Sequence, residues 1–286
     1  MKFGQWLLTL SAVVLTATSV AAADKPKVIH GAGIVLKWIR GDKEANYHRI
    51  EPMIREAAQH GAQLVVTTEC FLDGYAFDDH TIPLDQYRRL GEPIPDGPFF
   101  KRLAKLAGEL KIYLIAGMLE AEGKARYNTA VFIGPDGELI GKYHKQNLDE
   151  EIMRNKPGHV SSVHKTPFGN LGILICADRR SPSIVRRFRE NGADFLICPS
   201  GGMFGPRKND PMVQARSKEN GLPIVFVHPA EFLLTDADGS IRTQTLVGNQ
   251  LVIGKQQVGG EQDRNRIFYF DLSAGGSSPS SVSGSH

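Results

Sequence analysis

Short apolar runs rich in β-branched residues recur along the chain and alternate with segments in which apolar residues have helical spacing. Runs of this length that are bounded by turn residues are typical of buried strands. They occupy residues 28–36, 64–68, 112–118, 130–133, 138–145, 171–175, 195–198 and 224–228. Because strands that alternate with helices form sheets whose faces the helices cover, this order predicts an α/β protein with a mixed sheet.

The residues that flank the intervening segments are typical of helix and turn boundaries. Asp42 is a suitable N-cap for a helix that ends at Gly61, and Pro52 predicts a kink or break inside that helix. Ser181-Pro182 predicts the start of another helix, and Asp210-Pro211 predicts the start of one more. Hairpins are predicted at the turns 135–137 and 238–239.

The two ends of the chain differ in composition from the part between them. Residues 6–20 form a short apolar stretch behind a charged start, and three alanines at 21–23 fit a cleavage site, as in a secretory signal peptide. The stretch is interrupted by hydroxyl residues and is shorter than the roughly 20 apolar residues of a spanning helix, so no membrane anchor is expected after cleavage. We therefore predict an exported protein, periplasmic or secreted. Its parts are a signal peptide at 1–23, one folded domain at 24–272 and a flexible Ser/Gly-rich tail at 273–286.

Three chemically active side chains follow predicted strands, namely Glu69, Lys145 and Cys176. Sites of open α/β sheets form where strands end, so these groups are candidates for one site. A thiol needs a base to become a nucleophile, and its attack on an acyl carbon creates an oxyanion that needs positive partners. Glu69 is suited to accept the proton of Cys176, and Lys145 to stabilise the oxyanion together with the N–H of Ala177.

Three segments carry a specific family resemblance: Leu64–Glu69 (LVVTTE), Gly141–Leu148 (GKYHKQNL) and Gly172–Arg180 (GILICADRR). They resemble the signature segments of the nitrilase superfamily, which are carbon–nitrogen hydrolases with a Glu-Lys-Cys site. The likeness covers about residues 27–272 and extends through 96–98, 127–130, 157–158, 199–200 and 216–220. Order and spacing agree throughout, so the match is specific.

The resemblance implies a four-layer α-β-β-α sandwich and thiol-mediated hydrolysis of a non-peptide C–N bond in a small amide or N-carbamoyl compound. It also implies a homodimer or larger homo-oligomer, with no metal and no organic cofactor. Members of the family often have a second glutamate a few residues before the Pro-Gly segment. Glu151, six residues before Pro157, is the better candidate for it, and Glu150 is the neighbouring alternative.

The sequence departs from the family around the base and the nucleophile. Thr68 stands where proline is common, and Ala177 stands where an aromatic residue is common. The following Asp178-Arg179-Arg180 is similar to the corresponding segment of N-carbamoyl-amino-acid amidohydrolases, in which the arginines hold a substrate carboxylate. Arg179 and Arg180 either bind such a carboxylate, for which the planar guanidinium is suited, or are structural, one of them pairing with Asp178.

Three other functions stay open at this point. Nitrile hydrolysis fits the same three residues. A Cys–His hydrolase would use one of the histidines at 144, 159, 164 and 228, and a catalytically silent binding protein would keep the fold without turnover. Amide, N-carbamoyl and nitrile substrates all fit one Glu-Lys-Cys site, so the substrate is left undecided.

Composition and residue spacing argue against several other classes of protein. The net charge of +3, from 34 basic and 31 acidic residues, gives no argument for nucleic acid as a partner. Cysteine and histidine lack metal-ligand spacing, and no Gly-rich phosphate loop follows a strand. Three cysteines are too few for a disulfide scaffold. Beside Cys176, the residues Cys70 and Cys198 are either two buried thiols, which is the favoured interpretation, or a disulfide.

Overall fold

Our computed structural model describes Met1, residues 28–202 and residues 205–273. Twelve strands, β1 to β12, occupy Val28–Val35, Leu64–Val66, Tyr113–Glu122, Ala125–Ile133, Leu139–His144, Val163–Thr166, Gly169–Ile173, Phe195–Pro199, Ile224–His228, Glu231–Thr235, Ile241–Leu246 and Arg266–Ser273. Within the same residues five α-helices, α1 to α5, occupy Lys43–Gln59, Leu84–Leu90, Pro98–Leu110, Pro182–Glu190 and Pro206–Asn220. Residues 2–23 of the predicted signal peptide and residues 274–286 of the predicted tail lie outside the described residues.

The strands form two six-stranded mixed sheets of the same design. In the first, the order is β12-β1-β2-β3-β4-β5, and β1, β2 and β3 are parallel neighbours. In the second, the order is β11-β10-β9-β8-β7-β6, and β7, β8 and β9 are parallel neighbours. Each parallel centre is flanked on both sides by antiparallel pairs.

The two sheets pack face to face around one apolar core. Ile29, Leu64 and Ile115 of the first sheet lie in the same buried cluster as Ile173 and Phe226 of the second. Gly33 marks how closely the sheets approach, because a Cβ there would lie 2.7 Å from the ring of Phe232. Alternate residues of a strand point to opposite faces, so the intervening residues of the first sheet face away from this core.

Helices cover the two outer faces. The outward residues Ala32, Ile34 and Val65 of the first sheet pack with α1 and α3, whose buried residues include Ile54 and Leu103. Buried residues of α4 and α5 join the cluster of the second sheet. The protein is therefore a four-layer α-β-β-α sandwich. None of the helices in the described part of the chain is both long and apolar enough to cross a membrane.

Most of the elements predicted from sequence are present. Asp42 caps α1, accepting a hydrogen bond from the Ala45 N–H at 2.9 Å, and both predicted hairpins form. Periodicity alone predicted one mixed sheet, whereas the structure has two, as the family resemblance implied. The helix expected to begin at Asp210-Pro211 was placed too late: α5 begins at Pro206 and contains Pro211 within it. Strands β6 and β12 and helix α2 were not predicted, and Ser273, assigned to the tail, pairs with Val28 as the last residue of β12.

Candidate active site

Glu69 follows the central strand β2 of the first sheet and is completely enclosed. Its backbone N–H donates to the Ser200 carbonyl at 3.2 Å, which links it to the loop after β8 of the second sheet. Thr68, the residue that departs from the family pattern, accepts a hydrogen bond on Oγ1 from the Trp38 ring N–H at 3.0 Å. Gly117 of β3 allows the close approach of this loop, since a Cβ at that position would lie 2.5 Å from the Thr68 carbonyl oxygen.

Cys176 follows strand β7 of the second sheet, at the first position of a short 3₁₀ helix, residues 176–180. Its φ of 45° lies in the left-handed region, which is rare for a residue with a side chain and is concentrated at active sites and ligand clamps. The Sγ donates to the Gly201 carbonyl at 3.2 Å, and the residue is buried. The thiol therefore lies just beyond the end of β7, at a residue with an unusual backbone conformation.

Asp178 connects the loop that carries Cys176 with the loop that carries Lys145. One carboxylate oxygen accepts from the Ile175 N–H at 3.0 Å and the Tyr143 hydroxyl at 2.8 Å. The other accepts from the N–H groups of Gln146 at 3.1 Å and Asn147 at 2.7 Å. The sequence alone is compatible with a pairing of Asp178 with one of the following arginines. The structure instead assigns both oxygens to the backbone and to a tyrosine.

Lys145 lies between two buried carboxylates. Its Nζ donates to Glu69 Oε1 at 2.7 Å and to Glu151 Oε1 at 2.9 Å. Asn128 Nδ2 donates to the same two oxygens, each at 2.8 Å. Burial lowers the pKa of Lys145, but the charges of Glu151 and Glu69 outweigh it and raise the pKa well above its usual value. The lysine is therefore a permanent cation in this cluster.

Glu151 and Glu150, the two alternatives for a second glutamate, have different positions. Glu151 is buried and belongs to the Lys145 cluster, whereas Glu150 is exposed. Burial, together with the neighbouring Glu69, raises the pKa of Glu151 to about 7 against the opposing effect of Lys145. The geometry thus favours Glu151.

The second oxygen of Glu69 and the sulfur of Cys176 both lie next to Gly201. Glu69 Oε2 has no hydrogen-bond partner among the described residues, and a Cβ on Gly201 would lie 3.0 Å from it. The carbonyl of the same glycine accepts the thiol. Burial raises the pKa of Cys176, Glu69 raises it further, and the cations of Lys145 and Arg179 oppose both effects. The base, the cation and the thiol expected from sequence are therefore in one place.

A cavity of about 610 Å³ opens onto this cluster. Tyr75 and Phe77 form an aromatic wall, with ring centroids 4.2 Å apart, and Tyr75 stacks on Trp38 at 4.4 Å. The described lining residues are Tyr75, Phe77, Asp78, Lys145, Leu148, Asp149, Glu150, Glu151, Cys176, Ala177, Arg180, Gly201 and Gly202. Ala177, predicted to donate its N–H, lies in the first turn of the 3₁₀ helix, where N–H groups have no partner within the helix.

The two arginines after Cys176 point in different directions. Arg180 lines the cavity and forms an ion pair with Asp149. Arg179 is buried beneath the cavity, where it donates to Cys176 Sγ and to the Asn209 side chain. The expectation that both arginines bind a substrate carboxylate therefore has geometric support only for Arg180.

Two of the histidines that a Cys–His mechanism could use, His228 and His144, are bonded to groups other than Cys176. His228 is buried, with Nδ1 accepting from the Ala230 N–H at 3.1 Å and Nε2 3.0 Å from the Gly202 carbonyl oxygen. Burial lowers its pKa to about 3, so it stays neutral with both nitrogens occupied. His144 forms a pair with Glu120 at 2.6 Å. No histidine is among the described residues that line the cavity.

The remaining cysteines are buried free thiols. Cys70 and Cys198 are not joined in a disulfide, in agreement with the favoured interpretation of the sequence. Burial raises the pKa of Cys198 to about 12, so its thiol is protonated at neutral pH. Across residues 28–202 and 205–273, no group of three or more His, Cys, Asp or Glu side chains is arranged to hold a metal ion.

Asp73, in the loop after Glu69, gives a testable pH dependence of stability. It is buried, accepts from the Ala76 N–H at 3.1 Å, and has its pKa raised by burial to about 7. A carboxyl whose pKa is higher in the folded state stabilises the fold at low pH, and this contribution is lost as the pH rises to the folded-state pKa. Between pH 5 and pH 8, the wild type should lose about 2–3 kcal/mol of unfolding free energy more than Asp73→Asn does.

Urea unfolding of both proteins at several pH values measures this difference. Asp73→Asn is the reference, because Glu151, whose pKa is also raised to about 7, titrates in both proteins and its effect cancels in the comparison. Parallel pH profiles for the two proteins would show that Asp73 is ionised in the fold at all these pH values.

Four residues that contact the catalytic cluster or its loops were not assigned to it from the sequence: Asn128, Asp178, Gly201 and Arg179. Asn128 lies in one of the segments that resemble the family, and Asp178 and Arg179 lie next to the nucleophile candidate. These positions were visible as motif residues, but most of their contacts join residues that are distant in the sequence, such as Asn128 with Glu69 and Arg179 with Asn209. Gly201 had no sequence signal beyond its place after Pro199-Ser200.

The fold and the site define a class of hydrolase. A sequence profile of the carbon-nitrogen hydrolase family matches residues 32–256, and the chain belongs to this family, within the nitrilase superfamily. It is an enzyme that hydrolyses carbon–nitrogen bonds. Proteins with similar sequences or structures include amidases and nitrilases.

The chain is 32% identical to the omega-amidase NIT2 of Xenopus tropicalis over 203 residues, which are 66% of this chain and 70% of that protein. It is 34% identical to a nitrilase of Pyrococcus abyssi over 161 residues, 56% of this chain and 60% of that protein. The crystal structure of Saccharomyces cerevisiae Nit3 matches with a TM-score of 0.73 at 25% identity, covering 88% of this chain and 93% of Nit3. An amidase from Nesterenkonia sp. has the same fold, with a TM-score of 0.70 at 20% identity over 90% of this chain and 94% of its own.

Proposed function

We propose that this protein hydrolyses a small amide or N-carbamoyl compound, with Cys176 as the nucleophile. The observation that carries the proposal is that the Cys176 thiol and one carboxylate oxygen of Glu69 both lie next to Gly201, while the other oxygen of Glu69 binds Lys145. This arrangement supplies a nucleophile and a fixed cation at the surface of one cavity, with a base bonded directly behind the cation. The similarity to omega-amidases supports an amide substrate.

In the acylation step, Glu69 accepts the thiol proton and Cys176 Sγ forms a bond to the carbonyl carbon. The electron pair of the carbonyl moves to oxygen, and the resulting oxyanion is stabilised by Lys145 Nζ and the Ala177 N–H. Glu69 then gives the proton to the leaving nitrogen. The C–N bond breaks and ammonia or an amine departs, leaving a thioester on Cys176.

In the deacylation step, water replaces the departed amine. Glu69 takes a proton from the water as its oxygen attacks the thioester carbon, and the same cation and N–H stabilise the second oxyanion. Collapse of this intermediate breaks the C–S bond, releases the acid and returns the proton to sulfur. Glu151 does not contact the thiol in this scheme; it and Asn128 hold Lys145 and Glu69 in position.

The cavity sets the size and charge of the substrate. Its volume of about 610 Å³ suits a small molecule, and its aromatic wall of Tyr75 and Phe77 suits an aliphatic or planar body. Arg180 at the rim is the candidate for a substrate carboxylate, which would compete with Asp149 for the guanidinium.

A panel of linear amides, N-carbamoyl amino acids and nitriles tests the proposal, with ammonia and carbon dioxide measured together. Ammonia alone from amides supports an amidase, and ammonia with carbon dioxide supports a carbamoylase. Turnover confined to nitriles would move the function to nitrile hydrolysis by the same residues. An absence of turnover across the panel, in a protein that binds these compounds, would contradict the proposal and favour a silent binding protein.

The role of Glu69 as the base separates this proposal from a Cys–His hydrolase. Glu69→Gln keeps the size of the side chain and removes the proton acceptor, so kcat/KM should fall by about 10²–10⁴-fold. His228→Ala, His144→Ala, His159→Ala and His164→Ala should each cost less, because among the described residues none of these side chains lines the cavity or bonds to Cys176, Glu69 or Lys145. Steady-state ammonia release measures all five variants. A histidine variant more damaged than Glu69→Gln, while still folded, would favour the Cys–His mechanism.

We propose further that residues 1–23 direct export and that the mature enzyme is a homodimer or larger homo-oligomer. The apolar stretch and its alanine-rich end support export. Intact mass of the protein purified from its native host tests the first point: a chain that keeps Met1–Ala23 would contradict it. Light scattering of the purified protein tests the second, and a monomer at micromolar concentration would contradict it.

A further inference from the structure

The guanidinium of Arg179 lies directly against the sulfur of Cys176. Its Nη1 is 3.4 Å from Cys176 Sγ, and its Nη2 donates to Asn209 Oδ1 at 2.6 Å. Its Cζ lies 5.3 Å from the centre of the Phe226 ring. The side chain is 1% exposed, so it is fixed on several sides within the protein.

Arg179 is a buried cation, and its contacts indicate that the sulfur of Cys176 is the group that balances its charge. Burying a cation is costly unless an anion or well-placed hydrogen bonds compensate for it. The described contacts of Arg179 are a neutral amide, an aromatic face and the Cys176 sulfur, and its Nε has no hydrogen-bond partner among the described residues. Of these contacting groups only the sulfur is able to carry a full negative charge, while Glu69 and Cys198 act on the arginine electrostatically without a hydrogen bond to it.

The position of Arg179 argues against a contact with substrate. Arg180, its neighbour, lines the cavity, whereas Arg179 is not among the described lining residues. Its partner Asn209 belongs to α5 and is completely buried. The arginine therefore contacts both the nucleophile and the helix layer without lining the space that a substrate would occupy.

We propose that Arg179 is a catalytic residue that stabilises and orients the thiolate of Cys176, and that Asn209 is a positioning residue for it. The proposal rests on the proposed function, in which Cys176 is the nucleophile. When the S–H bond breaks, the proton passes to Glu69 and the electron pair stays on sulfur, where the Nη1–H group donates to it. Arg179 keeps its own protons throughout. Lys145 is thereby left for the oxyanion, to which the negative charge passes from sulfur when the C–S bond forms, so a cation stabilises the charge at each of the two atoms in turn.

Alkylation of Cys176 by iodoacetamide, followed across pH by mass mapping of its peptide, tests the proposal. The midpoint of the pH profile reports the thiol–thiolate equilibrium of the site. An opposite charge within about 4–6 Å shifts such an equilibrium by about one to three pH units, so Arg179→Gln should raise the midpoint by about one pH unit or more. Arg179→Lys should restore part of the shift, and Arg187→Gln, a matched exchange of an arginine bonded to Gln146 Oε1 outside the cavity, should leave the midpoint in place.

Turnover gives a second readout of the same effect. In Arg179→Gln, kcat/KM at pH 7 should fall by at least about tenfold, and the loss should shrink at higher pH as the thiol ionises without help. A purely structural role would lower activity at all pH values alike and leave the alkylation midpoint unchanged.

An unchanged midpoint in folded Arg179→Gln overturns the proposal. If that variant does not fold by circular dichroism, Asn209→Ala, which keeps the arginine and frees its head group, replaces it. Asn209→Ala should raise the midpoint by a smaller amount, and no change there also overturns the proposal. Failure of the proposed function is distinct from either result, because it would appear as full turnover by Cys176→Ala, whatever the alkylation profile.

Discussion

Replacing Cys176 by alanine is expected to lower turnover of the preferred amide by at least about 10⁴-fold, because no covalent intermediate can form without the sulfur. The side chain occupies a left-handed backbone position and contacts the Gly201 carbonyl and Arg179. Alanine removes these contacts but fits the same space, so the variant should fold. Ammonia release measures activity, and circular dichroism with thermal unfolding measures the fold.

Cys198→Ala is the matched control for this prediction. Cys198 is also a buried thiol in the second sheet, 3.4 Å from the Ser200 hydroxyl oxygen, and it does not line the cavity. Its replacement should cost about 1 kcal/mol in stability, from the small space left behind, and leave most of the activity. Full activity in Cys176→Ala, or an equal loss in both variants, would contradict the assignment of the nucleophile.

Replacing Lys145 by methionine is expected to damage both activity and stability. The variant keeps the length of the side chain but leaves the buried carboxylates of Glu69 and Glu151 without their cation. Breaking a buried ion pair by removing one partner costs about 3–5 kcal/mol, and loss of oxyanion stabilisation costs about 10³-fold in kcat. The loss of stability should be smaller at pH 5 than at pH 8, because the unpaired carboxyls are neutralised by protonation at the lower pH.

A triple variant separates the two effects of this lysine. Combining Lys145→Met with Glu69→Gln and Glu151→Gln removes the uncompensated charges, so much of the lost unfolding free energy should return while activity stays absent. Chemical denaturation at pH 5 and pH 8, together with ammonia release, measures both properties. A Lys145→Met protein as stable as the wild type at pH 8 would show that the carboxylates do not depend on this cation.

Prediction from sequence was accurate where local chemistry decides the structure. The cap at Asp42 and the turns at 135–137 and 238–239 were identified because their side chains or backbone requirements act over a few residues. The helix α5 was misplaced because proline is often the first residue of a helix, and two prolines, Pro206 and Pro211, compete for that position. Strand β12 was missed because it depends on a partner, β1, more than 230 residues earlier in the chain.

The candidate catalytic residues divide in the same way, into those that the local sequence identifies and those that only the packing of distant segments decides. Glu69, Lys145 and Cys176 were identifiable from their place after apolar strands and from the family resemblance of their segments. The choice of Glu151 over Glu150, and the separation of Arg179 from Arg180, were not resolved, because neighbouring residues differ only in which way their side chains point. That direction is decided by the packing of the loops on each other.

The sequence by itself therefore determined the α/β order of elements, the residue types of the site and, through its motifs, the hydrolase family. Only the tertiary structure decided that Glu69 of one sheet and Cys176 of the other lie next to Gly201, and that Arg179 contacts the sulfur without lining the cavity. The physical reason is distance along the chain. Hydrogen bonds between residues over a hundred positions apart, such as that from the Glu69 N–H to Ser200, exist only when the two sheets have packed and excluded water from the groups between them.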